Sequence, residues 1–236
     1  MGDVRLSCTD LVVGYNEVAV LPALSVKLGA GEFWAVVGRN GSGKTTWFRT
    51  MLGLLPPVSG TVHNPGIRLS YVQQRMSFDD LGPVSVHEVV AMGLERGWSF
   101  AGFGARLGVS DALREVGAAD LEHRPFRSLS EGQKQRVLLA RVVASRADVV
   151  FLDEPTAAMD PVAEQEALGL LDQVRKSHGT TVVVVSHYLG VAREWADRVV
   201  FVDRAAQVAL EGLPDEVFAH EAFRKRYGLV AGRQDA

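Results

Sequence analysis

"EFWAVVGRNGSGKTT", residues 32–46, decides the fold. Its first half, "EFWAVVG" (32–38), is mostly apolar and reads as a buried strand. Its second half, "GRNGSGKTT", packs three glycines, one lysine and three hydroxyl side chains into residues 38–46. That composition suits neither helix nor strand, so a loop follows the strand. The segment 44–54 after it reads as a helix.

The same rhythm recurs further on. "IRLSYV" (67–72), "ADVVFLD" (147–153) and "TTVVVVS" (180–186) are short, mostly apolar runs. Between the last two, Pro161 occupies a favoured first helical position, and Leu168, Leu171 and Val174 recur at helical spacing. Strand, helix, strand in alternation predicts an α/β domain with a mainly parallel sheet. From about Ser77 to Ala144 the rhythm breaks. "VHEVVAMGL", "VSDALREVGA" and "EGQKQRVLLARVVAS" read as helices, which predicts an α-helical subdomain inserted into the core. The expected division is a core of 1–76 and 145–212, helices at about 77–144, and a C-terminal tail at about 213–236.

Composition narrows the function classes. At 236 residues the chain fits one large domain. Its 22% charged content is that of an ordinary globular protein, and a net charge of −3 gives no general attraction to nucleic acid. Cys8 is the single cysteine, so no internal disulfide can form, and a structural zinc site is not expected. No apolar run approaches the roughly 18–20 residues that span a bilayer. The N-terminus shows no charged segment leading into an apolar run, so no signal peptide is expected. A cytoplasmic location follows as the expectation.

Gly38, Gly43, Lys44 and Thr45 match G-x-x-x-x-G-K-[ST], the P-loop pattern. The chemistry explains the spacing. Backbone N–H groups must turn inward around phosphate oxygens, and Gly38, Gly41 and Gly43 permit that approach. The next helix aims its positive dipole end at the phosphates. Lys44 is expected to reach the β- and γ-phosphates, and the Thr45 hydroxyl to ligate Mg²⁺. Asn40, Ser42 and Thr46 complete the expected nucleotide-binding loop. "VVFLDE" (149–154) ends a buried strand on two acids. Asp153 would hold Mg²⁺ through its water shell. Glu154 could accept a proton from attacking water. Two exposed acids at a strand end remain the plain alternative for this pair taken alone.

"LSEGQ" (129–133), followed by "KQRVLLAR", joins these motifs in a chain that resembles the ABC ATPases. That family usually carries Leu-Ser-Gly-Gly-Gln, and here Glu131 replaces the first glycine. Ser130 with the N–H groups of the helix start, Gly132 and Gln133 included, would form a second anion site. The resemblance covers nearly the whole chain, in the family's order. It implies that Tyr15 stacks on adenine. "YVQQ" (71–74) resembles the Q-loop, giving Gln74 a catalytic and metal-binding role, with Gln73 where the family has proline. "AAMD" (157–160) looks like the D-loop and gives Asp160. "VSH" (185–187) gives His187 as the switch histidine, with Tyr188 in place of the family's frequent aspartate. An antiparallel N-terminal β part is implied as well.

The resemblance implies ATP and Mg²⁺ as cofactors, with Glu154, His187, Gln74 and Lys44 as the catalytic set. It implies a head-to-tail dimer with a second ATPase subunit, the signature of one covering the γ-phosphate bound by the other. It also implies an integral membrane permease docked near Gln74 to Leu94, with the ATPase on the cytoplasmic face of the membrane. Trp98, Phe100 and Phe103 offer aromatic surface either to that partner or to internal packing. No direct contact with cargo and no nucleic acid are expected. "VSVHEVVAMG", "ADRVVFVDR", "GLPDEVF" and "FRKRYG" most resemble ATPases of bacterial metal-ion and metal-chelate importers, zinc or manganese before iron chelates. The competing readings are an exporter or an ATPase for another cargo, a soluble non-transport ABC ATPase, and a P-loop kinase.

Overall fold

The computed structural model describes residues 3–72, 84–94, 106–155, 159, 161–186 and 188–228. These residues form two compact units, one drawn from 1–66 and 183–236, the other from 67–182.

In the first unit, β1 (Val4–Val12) runs between β4 (Leu24–Gly29) and β6 (Ser59–His63) as an antiparallel sheet. The N-terminal antiparallel part is therefore present. Along β1 the side chains alternate, with Leu6 and Cys8 buried. Strict alternation would next bury Asp10. Instead Asp10 takes φ 46°, the pairing register shifts between Cys8 and Leu11, and Leu11 faces the core. The bulge thus keeps a carboxylate out of the interior. Burial pushes the Cys8 thiol up to about 11, which leaves it protonated and inert. A short hairpin of β2 (Gly14–Tyr15) and β3 (Val18–Ala19) follows β1.

The unit's second sheet holds β5 (Phe33–Val37), β9 (Thr181–Ser186), β10 (Arg198–Asp203) and β11 (Val208–Gly212), in the order β11-β10-β5-β9. Every residue of β5 is buried, as its unbroken apolarity requires. β10 lies parallel to β5, from Arg198 opposite Trp34 to Phe201 opposite Val37. The helix α1 (Lys44–Met51) follows β5. It stops three residues before the predicted 54, because the amides of Leu54 and Leu55 both turn back onto the Arg49 carbonyl. After α6 (Leu189–Glu194), two helices lie within the expected tail: α7 (Pro214–Ala219) and α8 (Glu221–Tyr227). Val217 and Phe223 bury themselves against Phe201 of β10, with the Phe201 and Phe223 rings edge to face at 5.1 Å. Each buried side chain of this size stabilises by roughly 2–3 kcal/mol.

In the second unit, β7 (Leu69–Val72) lies parallel to β8 (Val149–Asp153). The reading of 67–72 as strand begins two residues early. Arg68 donates its amide to the Asp148 carboxylate, and its carbonyl accepts from the amides of Asp148 and Val149. The described residues of this unit hold the α-helices α2 (Val86–Ala91), α3 (Arg106–Glu115), α4 (Glu131–Ser145) and α5 (Pro161–His178). The first three pack on one another through Val86, Val89, Val109, Leu113 and Val137, all fully buried. Between residues 84 and 144 the described residues hold no strand, only an isolated bridge from Ser85 to Pro125. Glu122 ties this bundle together. It accepts from Ser110 at 2.9 Å and lies 2.9 Å from His87 Nδ1. Burial opposes its charge, but the hydrogen bonds from His87 and Ser110 prevail and hold its carboxyl below the usual range.

Candidate functional site

The P-loop occupies the turn between β5 and α1. Gly43, immediately before the helix, adopts φ 103°, a conformation closed to most side chains. A Cβ there would also press on Leu21 at 3.0 Å. At Gly38 the constraint is space, since a Cβ would collide with the Val202 carbonyl and with Ser42 Oγ. The glycines at these two positions therefore set the loop's path.

Lys44 is buried, and its ammonium donates to the carbonyls of Gly38 at 2.7 Å and Arg39 at 3.1 Å. The charge is held at the loop, on the first turn of α1, where helix N–H groups and the dipole favour an anion. Ser42 Oγ is buried with no hydrogen-bond partner among the described residues. A buried hydroxyl in that state costs about 1–3 kcal/mol unless something enters the loop to pair with it. A phosphate oxygen meets that need. Gly41 to Thr46 share a pocket of about 320 Å³ with Tyr15, Val18, Val20 and Arg204. Tyr15 is half exposed, and its hydroxyl lies 3.4 Å from Thr46 Oγ1. An aromatic ring and two valines thus adjoin a glycine-lined loop that carries a buried ammonium. Asn40 sits exposed within the same loop.

The second unit carries the other motifs. Ser130 caps α4, accepting from the Gln133 amide at 3.4 Å, while Gln133 Oε1 accepts from the Ser130 amide at 3.1 Å. This reciprocal pair fixes the helix entry. Glu131, at the altered signature position, points to an ion pair with Lys134 at 2.8 Å, so the replacement leaves the cap intact. Ser130, Gly132 and Gln133 line a pocket of about 220 Å³ together with Met159 and Glu166. A Cβ on Gly132 would meet nothing within 4 Å, so no packing among the described residues demands glycine there. Asp153 ends β8 buried and accepts from the Tyr71 hydroxyl at 3.4 Å. Glu154 follows at φ 47°, a left-handed conformation that costs a non-glycine residue roughly 1–2 kcal/mol. Such strain at a strand end re-aims the side chain.

Tyr15 and the P-loop residues thus gather in one unit. Ser130, Gly132, Gln133, Asp153 and Glu154 belong to the other. Gln74, Asp160 and His187 lie outside the described residues, as do Trp98, Phe100 and Phe103. The sequence reading missed Arg204. It is a turn residue about 160 positions from the P-loop, and only the parallel β5–β10 pairing brings the two together.

Residues 21–157 match the family described as ABC transporter. The chain is 34% identical over 98% of its length to the zinc import ATP-binding protein ZnuC of Pseudomonas aeruginosa, covering 82% of that protein. It is 36% identical over 94% of its length to the ZnuC of Ruegeria pomeroyi, covering 84% of that chain. Among solved structures, an inward-facing metal-chelate type ABC transporter superposes with a TM-score of 0.86, at 27% identity, over 96% of this chain and 90% of that one.

Proposed function

We propose a function from one premise: the chain belongs to the ABC transporter family and is an ATP-binding, ATP-hydrolysing subunit. It drives uptake of a metal ion, zinc before manganese, through a separate membrane permease, from the cytoplasmic face. One observation carries the energetic half of this reading. The P-loop pocket joins a buried lysine ammonium, an orphaned hydroxyl and an exposed tyrosine ring in a single nucleotide-sized space. The cargo half rests on the near full-length likeness to zinc import proteins.

In this reading Tyr15 stacks on the base, and Gly38 to Thr46 wrap the phosphates. Lys44 carries the positive charge that offsets the charge developing on the transferred phosphoryl group. Thr45, Asp153 and Gln74 would hold a Mg²⁺ ion, which supplies charge neutralisation at the phosphates. Glu154 accepts a proton from the attacking water, and His187 contacts the γ-phosphate. Ser130, Gly132 and Gln133 serve the nucleotide of a second ATPase subunit, and Asp160 lies at that interface. The open space at Gly132 supports this, because it leaves room for a group arriving from outside. Two such contacts in head-to-tail symmetry make a closed dimer.

The permease docks on the second unit. There a groove of about 730 Å³ is lined by Arg68, Tyr71, Met92, Glu115, Arg141 and His178. No helix among the described residues is long and apolar enough to cross a membrane, so another chain supplies the pathway in this reading.

The test replaces Lys44 by alanine in the native host and measures cellular zinc, manganese, iron, cobalt and nickel under metal limitation. A selective fall in zinc is expected. Unchanged metals, with the variant still stable, would overturn the cargo assignment.

A further inference from the structure

The β10–β11 turn deserves a role that no motif gives it. It runs from Arg204 to Gln207. Arg204 is exposed and lines the P-loop pocket opposite no acidic neighbour in the lining: Tyr15, Val18, Val20 and Gly41 to Thr46 are its companions there. Gln207 fastens the turn at one end. Its Nε2 donates to the Arg204 carbonyl at 2.8 Å and to the Val20 carbonyl at 3.4 Å, and Val20 is itself a wall of the pocket.

Asp203 fastens the other end. Its Oδ1 accepts from the amides of Ala205 at 3.0 Å and Ala206 at 3.2 Å, so the carboxylate caps the turn. The same carboxylate is buried and paired with one cation of the C-terminal helix. Arg226 Nη2 donates to Oδ1 at 2.8 Å, and Arg226 Nε lies 2.6 Å from Oδ2. A buried carboxylate depends on such a partner, because an unpaired charge there is costly. The neighbouring residue carries the connection further. Tyr227 stacks on Phe223 at 4.7 Å, and its phenol is raised above the usual range by burial, with the charges of Arg226, Asp203 and the P-loop residue Arg39 acting on it. The end of α8 is therefore tied to the residue that caps the turn.

We propose that Arg204 is a nucleotide-contacting residue, and that Arg226 of α8 is a positioning residue that holds it in place through Asp203. This rests on the assignment of ATP to the P-loop pocket. A guanidinium on the pocket wall faces a polyanion, and its attraction is present in ATP and ADP alike. Arg204 thus contributes to affinity more than to the chemical step. By fixing the turn, the C-terminal helix sets how tightly nucleotide is held.

The experiment measures binding of ATP and ADP by calorimetry, together with KM and kcat, for the full chain and for Arg204→Ala, Arg226→Gln, Arg226→Lys and Lys44→Ala. Removing Arg204 is expected to weaken both nucleotides about fivefold and to raise KM equally, with kcat changed less than about twofold. Arg226→Gln is expected to give a similar loss, and Arg226→Lys to recover part of it by restoring a charge beside Asp203. Circular dichroism and melting separate this from loss of fold; Arg204→Ala is exposed and tests the contact even if Arg226→Gln unfolds. Wild-type affinity in Arg204→Ala overturns the contact whatever becomes of Arg226→Gln, wild-type affinity in a folded Arg226→Gln overturns the positioning role, and neither result touches the ATP assignment. A full chain that binds no ATP, or binds it equally well as Lys44→Ala, overturns the underlying ATP assignment instead.

Discussion

Lys44 Nζ donates to the Gly38 carbonyl at 2.7 Å, so the ammonium closes the loop that leads into its own helix. The charge is thereby fixed at the pocket before any phosphate arrives. Preorganised charge of this kind acts without reorganisation during the reaction. Lys44→Ala is expected to lower ATP hydrolysis by at least about 100-fold. The fold should be retained, because the loop's path is set by its glycines. Steady-state hydrolysis with a parallel circular dichroism spectrum checks both halves. Near-normal turnover in a folded variant would remove Lys44 from the site.

Gly38 offers a sterically harsher test. A Cβ there meets the Val202 carbonyl of β10, which is backbone and cannot swing away. Gly38→Ala is expected to destabilise the first unit by about 2 kcal/mol or more and to abolish nucleotide binding. Thermal melting and a binding titration read the two effects. A stable variant that binds ATP normally would mean that the loop tolerates the displacement.

How much of this was legible in the sequence follows from the range of each interaction. Gly43 and Lys44 declare themselves because turn, helix start and charge lie within a few neighbouring positions. The central strands are equally plain, since residues buried on both faces leave unbroken apolar runs such as Phe33–Val37. Asp10 and Leu11 were not legible, because a bulge shifts the alternation by one residue. The tail helices were missed for another reason. Val217 and Phe223 are plainly apolar in the sequence, but the Phe201 that covers them is brought to them only in three dimensions. Arg204 left no signal at all. An exposed arginine in a turn looks like a solvated charge until the sheet carries it to the pocket.

Acid should expose the role of Glu122. Hydrogen bonds from His87 and Ser110 keep its folded-state pKa low against the opposing effect of burial. A depressed carboxyl stabilises the fold above its ordinary pKa of roughly 4.3, and that contribution disappears as pH falls through the folded value. Glu122→Gln is therefore expected to be less stable than the wild type by about 1–2 kcal/mol at pH 7. The gap should narrow toward pH 3. Urea titrations at the two pH values measure it. An equal gap at both would show that the carboxylate's charge contributes nothing.

The most direct measurement uses Glu154→Gln. The residue stands in a left-handed conformation at the end of β8, beside the buried Asp153. If it takes the proton from water, its amide replacement binds ATP and cannot turn it over. A loss of about 100-fold or more in hydrolysis is expected. The bound nucleotide should then hold two subunits together, doubling the 25.6 kDa mass of the chain. Size-exclusion chromatography with light scattering, run with and without ATP and Mg²⁺, reads this in one experiment. An ATP-dependent dimer with negligible turnover is the result expected of a shared ATP site. A variant that stays at the single-chain mass with ATP and still hydrolyses it near the wild-type rate would contradict the account.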